Sequence, residues 1–221
     1  MTYTFQFGQL LPYVGQLIDG VWLTVILGVQ TMVFSLIVGT SGALARTAGP
    51  RVLRSLVAVY VEVIRNTPVL VQVFLIFFAL PGLGLRLSPN TAAVVALTIN
   101  GGAYLTEIIR AGILAIPRGQ IEAGRALGLN PRQIFFDIVA KPAIKTVYPA
   151  VTSEFVILLL NTSICSQIAA NELTAVGNAI DSQTFRSLEV YVVLCVIYVG
   201  LSFLFSSVFK LGDRFILNWR I

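Results

Sequence analysis

The sequence predicts an all-α membrane protein with five transmembrane helices, on three observations. Hydrophobic residues make up 57% of the 221-residue chain and charged residues only 11%, whereas soluble domains carry about 25% charged residues. Long uncharged stretches recur, and most approach the ~20 residues that a helix needs to cross the hydrocarbon of a bilayer. Basic residues gather in alternate segments between these stretches, as they do on the cytosolic side of membrane proteins.

The predicted spans follow the uncharged stretches along the chain. The first stretch lies between Asp19 and Arg46, and the last lies between Glu189 and Lys210. We place the spans at residues of about 21–45, 55–80, 91–113, 147–170 and 188–210. They form a single transmembrane domain over residues 1–221.

Two local features add detail to this plan. The apolar residues between Phe5 and Ile18 predict a short helix that lies on the membrane surface before the first span. In span two, Pro68 has no backbone N–H and should break the helix. Glu62 and Arg65 are three residues apart just before this proline, and we interpret them as an ion pair that braces the kink.

The basic residues predict the orientation of the chain. They lie between spans one and two, around the segment between spans three and four, and after span five: Arg46, Arg51, Arg54, Arg110, Arg118, Arg125, Arg132, Lys141, Lys145, Lys210, Arg214 and Arg220. The other connecting segments are poor in Lys and Arg. The N-terminus is therefore predicted outside and the C-terminus in the cytosol. Nothing in this pattern suggests a nucleic-acid partner.

The composition also excludes several functions. The chain contains no histidine, which removes His metal ligands and hydrolase triads that use a histidine base. No phosphate-binding motif of the type GxxxxGK[ST] occurs. Cys165 and Cys195 both fall inside predicted spans, so we expect buried thiols and no disulfide. If the protein uses ATP, another chain must bind it.

A polar segment at about residues 116–142 interrupts the apolar chain. Residues 120–127 favour a helix, Gly128 sits where a left-handed residue would end it, and Asn130 is suited to cap a second helix. Gln133 can complete a capping box with Asn130, and Pro142 should end or kink the second helix. The segment therefore predicts a cytosolic helix–turn–helix, which we call the hairpin. Its shape alone also fits a simple linker between two spans.

The residues of the hairpin point to a family. The sequence EAGRALG followed by Ile138 resembles the coupling-loop motif of bacterial ABC-importer permeases. The sequences YVEVIRNTPVLVQVF (60–74), GGAYLTEIIRAGILAIPRGQIEAGRALGL (101–129) and NTSICSQIAANELTA (161–175) resemble those of the permeases of polar amino-acid importers, which carry histidine, glutamine, glutamate or arginine. The resemblance covers most of residues 20–215.

The resemblance implies a type I ABC-importer permease fold in the bacterial inner membrane. It implies two permease subunits, identical or homologous, surrounded by lipid, with ATP-binding cassette ATPase subunits in the cytosol and a periplasmic amino-acid-binding protein outside. ATP and Mg would sit on the ATPase, and this chain would bind no cofactor and carry no catalytic site. The residues that would couple the hairpin to the ATPase are Glu122, Ala123, Gly124, Gly128 and Asn130.

Three positions depart from the family pattern. Gly124 replaces the second alanine of the coupling motif. The usual Leu-Pro-Gln at the end of the second hairpin helix reads Ala140-Lys141-Pro142, which displaces the proline by one position, and a common Lys-Asp-Thr-Ser of span four reads Leu160-Asn161-Thr162-Ser163. The third departure concerns residues that would bind substrate.

Polar residues at membrane depth are candidates for a substrate site, because they usually face protein or water. Asn100 lies near the middle of span three, next to Gly101 and Gly102. Small residues at this place allow either close helix contact or room for a ligand. Glu154 and Asn161 are seven residues apart and share a helix face. The hypothesis is a site for a polar amino acid formed by Asn100, Glu154, Asn161, Thr162 and Ser163. Hydrogen bonding at a dimer seam is the alternative.

The expected function is therefore that of the transmembrane subunit of an ATP-driven importer for a polar L-amino acid. A self-contained secondary amino-acid transporter is the alternative. Such transporters usually show internal repeats, and the sequence shows none that is convincing.

Overall fold

The computed structural model describes residues 4–216, and every regular element within them is helical. The helices are α1 (Val14–Ala48), α2 (Arg51–Arg65), α3 (Val69–Phe74), α4 (Pro89–Leu114), α5 (Arg118–Ala126), α6 (Pro131–Gln133), α7 (Lys141–Asn161), α8 (Leu173–Thr184) and α9 (Ser187–Ile216). The all-α membrane fold predicted from the sequence is confirmed. Both chain termini, with Arg220 and the side chain of Arg214, lie outside the described residues.

Four helical runs are long and apolar enough to cross a membrane: Phe7–Ala48, Pro89–Leu114, Pro131–Ile168 and Ser187–Asp213. The fifth candidate span is a bent pair, Arg51–Arg65 with Val69–Leu83, in which the helix axis bends by 109° at the break. Small residues show the direction of the long helices. Gly39 and Gly42 of α1 lie against Leu105 and Thr106 of α4, so α1 and α4 run parallel. The chain must therefore recross between them, and the bent pair is the segment that does so.

The N-terminal prediction needs correction. Residues 14–18, expected in a separate surface helix, belong to α1, which begins at Val14 and follows directly on a 3₁₀ turn over Phe7–Tyr13. Leu10 and Leu17 pack with Ile180 of α8 and Val190 of α9 in one buried cluster. Tertiary packing therefore draws this segment into the bundle, an effect that local apolar spacing does not reveal.

Pro142 was predicted to end or kink the second hairpin helix. The prediction that it ends the helix was wrong. Helix continues from Pro131 through Pro142 to Ile168 without interruption. A π-helical segment over Ile134–Ala140 comes just before the proline. Its wider turn accommodates a residue that has no N–H to donate and would clash with the preceding turn of a regular α-helix.

Helix α8, between spans four and five, was not predicted. Its N-cap, Glu172, is fully buried and accepts hydrogen bonds from the backbone N–H groups of Thr174 at 2.8 Å and Ala175 at 2.7 Å. Tyr198 of α9 donates its hydroxyl to the same carboxylate at 2.7 Å. Glu172 therefore both starts α8 and fixes it to α9.

Glycines decide how closely α4 and α7 approach. A Cβ added at Gly101 would lie 2.7 Å from both Leu158 Cδ1 and Ser35 Oγ, and one at Gly112 would lie 2.1 Å from Val147 Cγ1. The two contacts show that α4 and α7 are antiparallel. Of the two interpretations of Gly101 and Gly102, close helix contact is the one that the structure bears out.

Candidate functional site

The turn of the hairpin is closed by a Schellman motif around Gly128. The N–H of Leu129 donates to the carbonyl of Gly124 at 3.1 Å, and the N–H of Gly128 donates to that of Arg125 at 3.0 Å. This pair of bonds defines the motif and requires a left-handed residue between its donors. Gly128 has φ of 76°, as the sequence predicted, and glycine adopts this conformation without steric cost.

The second helix of the hairpin begins with the predicted capping box. The backbone N–H of Gln133 donates to Oδ1 of Asn130 at 2.9 Å. The backbone N–H of Asn130 donates to Oε1 of Gln133, also at 2.9 Å. Both orphan donors at this helix start are therefore satisfied within four residues.

A small apolar core holds the two arms of the hairpin together. Gly124 is buried, and a Cβ at this position would lie 2.5 Å from Cδ1 of Ile138. Ile134 and Val139 from the second arm pack with Ile121 and Leu129 from the first. Glycine in place of alanine at position 124 therefore leaves room for the side chain of Ile138 and lets the two arms pack closely.

The other proposed coupling residues lie on the hairpin surface. Glu122, Ala123, Gly128 and Asn130 are all exposed, whereas Gly124 is not. Leu127, which caps the C-terminus of α5, is 80% exposed. The sequence analysis did not identify this exposed apolar residue, because a C-cap residue no longer follows the helical period.

Within the membrane, Asn100 is buried and already engaged. Its Nδ2 donates to Oε1 of Gln72 at 3.0 Å, and both side chains are at most 6% exposed. Gln72 was not among the predicted site residues. Its place in the apolar run VLVQVFLIFF was the signal, since a polar residue at membrane depth usually has a specific partner.

Glu154 is the buried carboxylate of the candidate site. It is 6% exposed, and within residues 4–216 its carboxylate has no hydrogen bond and no ion pair at contact distance. The guanidinium of Arg65 is close enough to act on it electrostatically. Burying a carboxylate without a donor is unfavourable, so this side chain is suited to bind a cationic group from outside the chain.

Arg65 does not form the ion pair that we expected with Glu62. It lies over the ring of Tyr104, with Cζ 5.3 Å from the ring centroid, where a cation–π contact is favourable. Glu62 instead accepts a hydrogen bond from Nδ2 of Asn66 at 3.0 Å. Both residues lie in the last turn of α2, where each side chain has a different partner: Asn66 for Glu62 and Tyr104 for Arg65.

Asn161, Thr162 and Ser163 lie where α7 passes into a 3₁₀ turn over Thr162–Ile168. The hydroxyls of Thr162 and Ser163 each donate at 2.7 Å to backbone carbonyls of their own helix, those of Leu159 and Leu160. Thr162 is fully buried, whereas Ser163 is half-buried, so of the two hydroxyls only that of Ser163 can accept a hydrogen bond from a ligand. Asn161 is half-buried and lies about 10 Å along α7 from Glu154, two helical turns away.

The helix register groups these side chains at two levels. Because Gly101 lies against Leu158 and Gly112 against Val147, Glu154 is level with Leu105, close to the Tyr104 ring that carries Arg65. Asn100 is level with Leu159, nearer to Asn161. One level therefore holds two opposite charges and the other holds neutral amides, an arrangement that can bind a zwitterion with a polar side chain. Among the described residues, no three His, Cys, Asp or Glu cluster as metal ligands would.

Comparison with known proteins places these features in context. The L-cystine transport system permease protein TcyB of Bacillus subtilis (strain 168) is 37% identical over 196 residues, covering 88% of this chain and 84% of that protein. The glutamine transport system permease protein GlnP of Escherichia coli (strain K12) is 34% identical over 212 residues, covering 95% and 97%.

Solved structures show the same fold. The crystal structure of an amino acid ABC transporter with histidines superposes with a TM-score of 0.89 at 34% identity, over 96% of this chain and 99% of that one. The inward-facing MetNI methionine ABC transporter superposes with a TM-score of 0.77 at 23% identity, over 92% and 97%, and supports the fold alone.

The family model described as "Binding-protein-dependent transport system inner membrane component" matches residues 32–217, which include the bent pair, the hairpin and the polar residues of α4 and α7. This range is most of the chain. The chain therefore belongs to the family of binding-protein-dependent transport system inner membrane components.

Proposed function

We propose that this chain is the transmembrane subunit of an ATP-driven importer that carries a polar L-amino acid across the inner membrane. The observation that carries the proposal is the hairpin, whose residues match the coupling motif and fold into a doubly capped two-helix unit with Glu122 and Ala123 exposed. Permeases for cystine, glutamine and nopaline among the relatives support an amino-acid substrate.

The proposal assigns a partner to each face of the protein. ATPase subunits bind the hairpin and carry ATP and Mg, while this chain binds no cofactor. A periplasmic binding protein delivers the amino acid at the outer face, where the chain also places its N-terminus. A second permease subunit, identical or homologous, completes the core, and lipid surrounds both. ATP-driven closure of the ATPases moves the hairpin as a rigid body and switches the core between its two faces.

The candidate substrate site follows from the charges on α2 and α7. Glu154 receives the α-ammonium group of the amino acid, and Arg65 supplies the opposite charge for its carboxylate. Asn161 and the hydroxyl of Ser163 contact the side chain of the substrate, with the buried Thr162 packed behind them. Asn100 contributes to the site indirectly, through its hydrogen bond to Gln72. The alternative, that Glu154 and Asn161 bond across the seam of the permease dimer, predicts loss of assembly when either is changed.

A reconstitution experiment tests this function. The chain is purified from its native membrane with the subunits that accompany it, incorporated into proteoliposomes, and supplied with binding protein and labelled glutamine, cystine, arginine or glutamate. We expect uptake of at least one amino acid that needs ATP and the ATPase. Uptake by the chain alone, driven by an ion gradient, would establish the secondary transporter instead.

A further inference from the structure

Gln72 occupies the inner side of the break between α2 and α3. Its Nε2 donates to the carbonyls of Ile64 at 2.8 Å and Thr67 at 3.0 Å, and approaches the hydroxyl of Thr67 at 2.9 Å. Its Oε1 accepts from Asn100 at 3.0 Å. One buried amide therefore connects the end of α2, the loop and α4.

These bonds replace donors that the bend removes. A helix end leaves carbonyls without intrahelical partners, and Pro68 cannot donate a backbone N–H. Thr67 Oγ1 donates toward the carbonyls of Val63 at 3.0 Å and Ile64 at 3.2 Å. Gln72 adds its amide from the far side of the loop. The break is thus a defined structure with its own hydrogen bonds, held from both sides.

A second contact fixes α2 to the same part of α4. The hydroxyl of Tyr60 donates to the carbonyl of Ile99 at 2.6 Å, one residue from the Asn100 that bonds to Gln72. Two independent bonds therefore hold the C-terminal half of α2 and the break against the middle of α4. Arg65 lies between these two points in the sequence, and its position over Tyr104 depends on both.

We propose that Gln72 is a positioning residue of the substrate site: it fixes the break of span two and so holds Arg65 beside Glu154 without touching the amino acid. The inference rests on the proposed function, which places the substrate between these two charges. It reassigns Asn100, whose amide is engaged by Gln72, from a ligand contact to part of the same brace. A brace that only stabilised the fold would change the amount of complex and leave its affinity for substrate unchanged.

The test measures amino-acid uptake by the complete importer over a range of substrate concentrations. Gln72→Leu removes the four contacts at nearly constant volume. We expect the half-saturating concentration to rise about ten-fold, because fewer molecules hold Arg65 in place, with the maximal rate per complex within about two-fold of wild type. Thr67→Val should raise the half-saturating concentration about three-fold, a smaller effect because Thr67 is exposed. Thr106→Val is the control: its hydroxyl is buried and bonds within α4 to Gly102 at 2.7 Å, facing α1.

The double variant Gln72→Leu/Thr67→Val decides whether the two residues act as one unit. Because they share a hydrogen bond, the combined rise should be smaller than the product of the single rises. An unchanged half-saturating concentration in Gln72→Leu, an equal rise in Thr106→Val, or single effects that multiply fully would each overturn the inference. If Gln72→Leu does not assemble, Thr67→Val decides, and an unchanged value there overturns it.

A labelling arm is independent of transport. With Cys165 and Cys195 replaced by alanine, Asn66→Cys places one thiol in the break. Gln72→Leu should change its rate of reaction with a water-soluble maleimide at least about three-fold, since the loop loses its brace, and Thr106→Val should not. An unchanged rate overturns the inference. If the wild-type importer takes up no amino acid, the proposed function is wrong. The labelling rate would then still show whether Gln72 holds the break in place.

Discussion

The backbone of Gly128 shows how much one residue contributes to the hairpin. Its φ of 76° lets two N–H groups turn back onto the carbonyls of α5. Apart from the adjoining residues, no atom lies within 4 Å of a Cβ added at this position, so side-chain volume is not the constraint. The requirement is purely conformational, and it can be tested with residues that differ in their tolerance of left-handed backbone.

We expect Gly128→Val to abolish transport and the stimulation of ATP hydrolysis by the permease, because a β-branched residue disfavours positive φ and the turn would reopen. Gly128→Asn is the matched control, since asparagine adopts this conformation far more readily. Uptake and ATPase activity in proteoliposomes measure both. Wild-type coupling in a well-expressed Gly128→Val variant would reduce the hairpin to a linker.

Glu154 is the residue on which the substrate hypothesis depends. A charge-assisted hydrogen bond contributes about 1.5–3 kcal/mol, so Glu154→Gln should raise the half-saturating concentration for uptake about ten- to a hundred-fold. Basal ATPase activity should remain, because it does not need the ligand. An unchanged concentration dependence with equal complex would make Glu154 a structural residue, and loss of assembly would favour the dimer seam.

Local rules account for the residues that sequence reasoning placed correctly. Gly128, Asn130 and Gln133 act on neighbours within four positions, so their roles follow from the order of residues alone. Gln72 meets Asn100 across 28 positions, and Arg65 reaches Tyr104 across a bend. Such pairs depend on the angle of the break and the register of α4, which a single sequence does not specify.

At the scale of elements, the sequence predicted the apolar helices and the break at Pro68, but not the geometry of the interruptions. Apolar composition marks α1, α4 and α9, whose lengths exceed the bilayer requirement. It gave neither the 109° bend between the halves of span two nor the π-helical segment before Pro142. Both depend on the partners available to freed backbone groups, which are set by tertiary packing.

Helix α8 gives a prediction about pH. Burial raises the pKa of Glu172 above its ordinary value, against the lowering effect of the hydrogen bonds from Thr174, Tyr198 and Ala175. The folded state therefore binds the proton more tightly, so this contribution to stability is complete below the ordinary glutamate pKa. It is lost as pH rises through the folded value.

Glu172→Gln cannot ionise, and its one side-chain oxygen can still accept from one of the two backbone donors of α8, which bond to different carboxylate oxygens in the wild type. Relative to wild type, the melting temperature of Glu172→Gln in detergent should rise as the pH rises. At the alkaline end, each ~1 kcal/mol of unfolding free energy that the wild type loses through ionisation of Glu172 should correspond to about 3 °C. Thermal unfolding followed from acidic to alkaline pH measures this difference. A constant difference across the range would show that Glu172 ionises equally in both states.

At the scale of the whole molecule, helix direction constrains topology more firmly than composition does. Helices α1 and α4 run parallel, and α7 is antiparallel to α4. Tyr148 near the start of α7 donates to the carbonyl of Phe209, and Leu159 near the end of α7 packs in one cluster with Leu201, so α9 is antiparallel to α7. Five crossings satisfy these directions and put the two ends of the described chain on opposite sides. Which side is cytosolic follows only from the basic residues, and stays a prediction.

Single cysteines in a background with Cys165→Ala and Cys195→Ala test that assignment in intact cells. Exposed positions that make no cap are the best sites: Leu85 and Gln183 for the outer face, and Arg51 and Arg132 for the inner face. The positive-inside rule predicts that an impermeant maleimide labels only the first two, and all four after permeabilisation. Labelling of Arg132→Cys from outside would place the hairpin in the periplasm, where no ATPase could bind it. Labelling of Leu85→Cys and Arg51→Cys from the same side would show that the bent pair re-enters the membrane without crossing it, which the parallel packing of α1 and α4 contradicts.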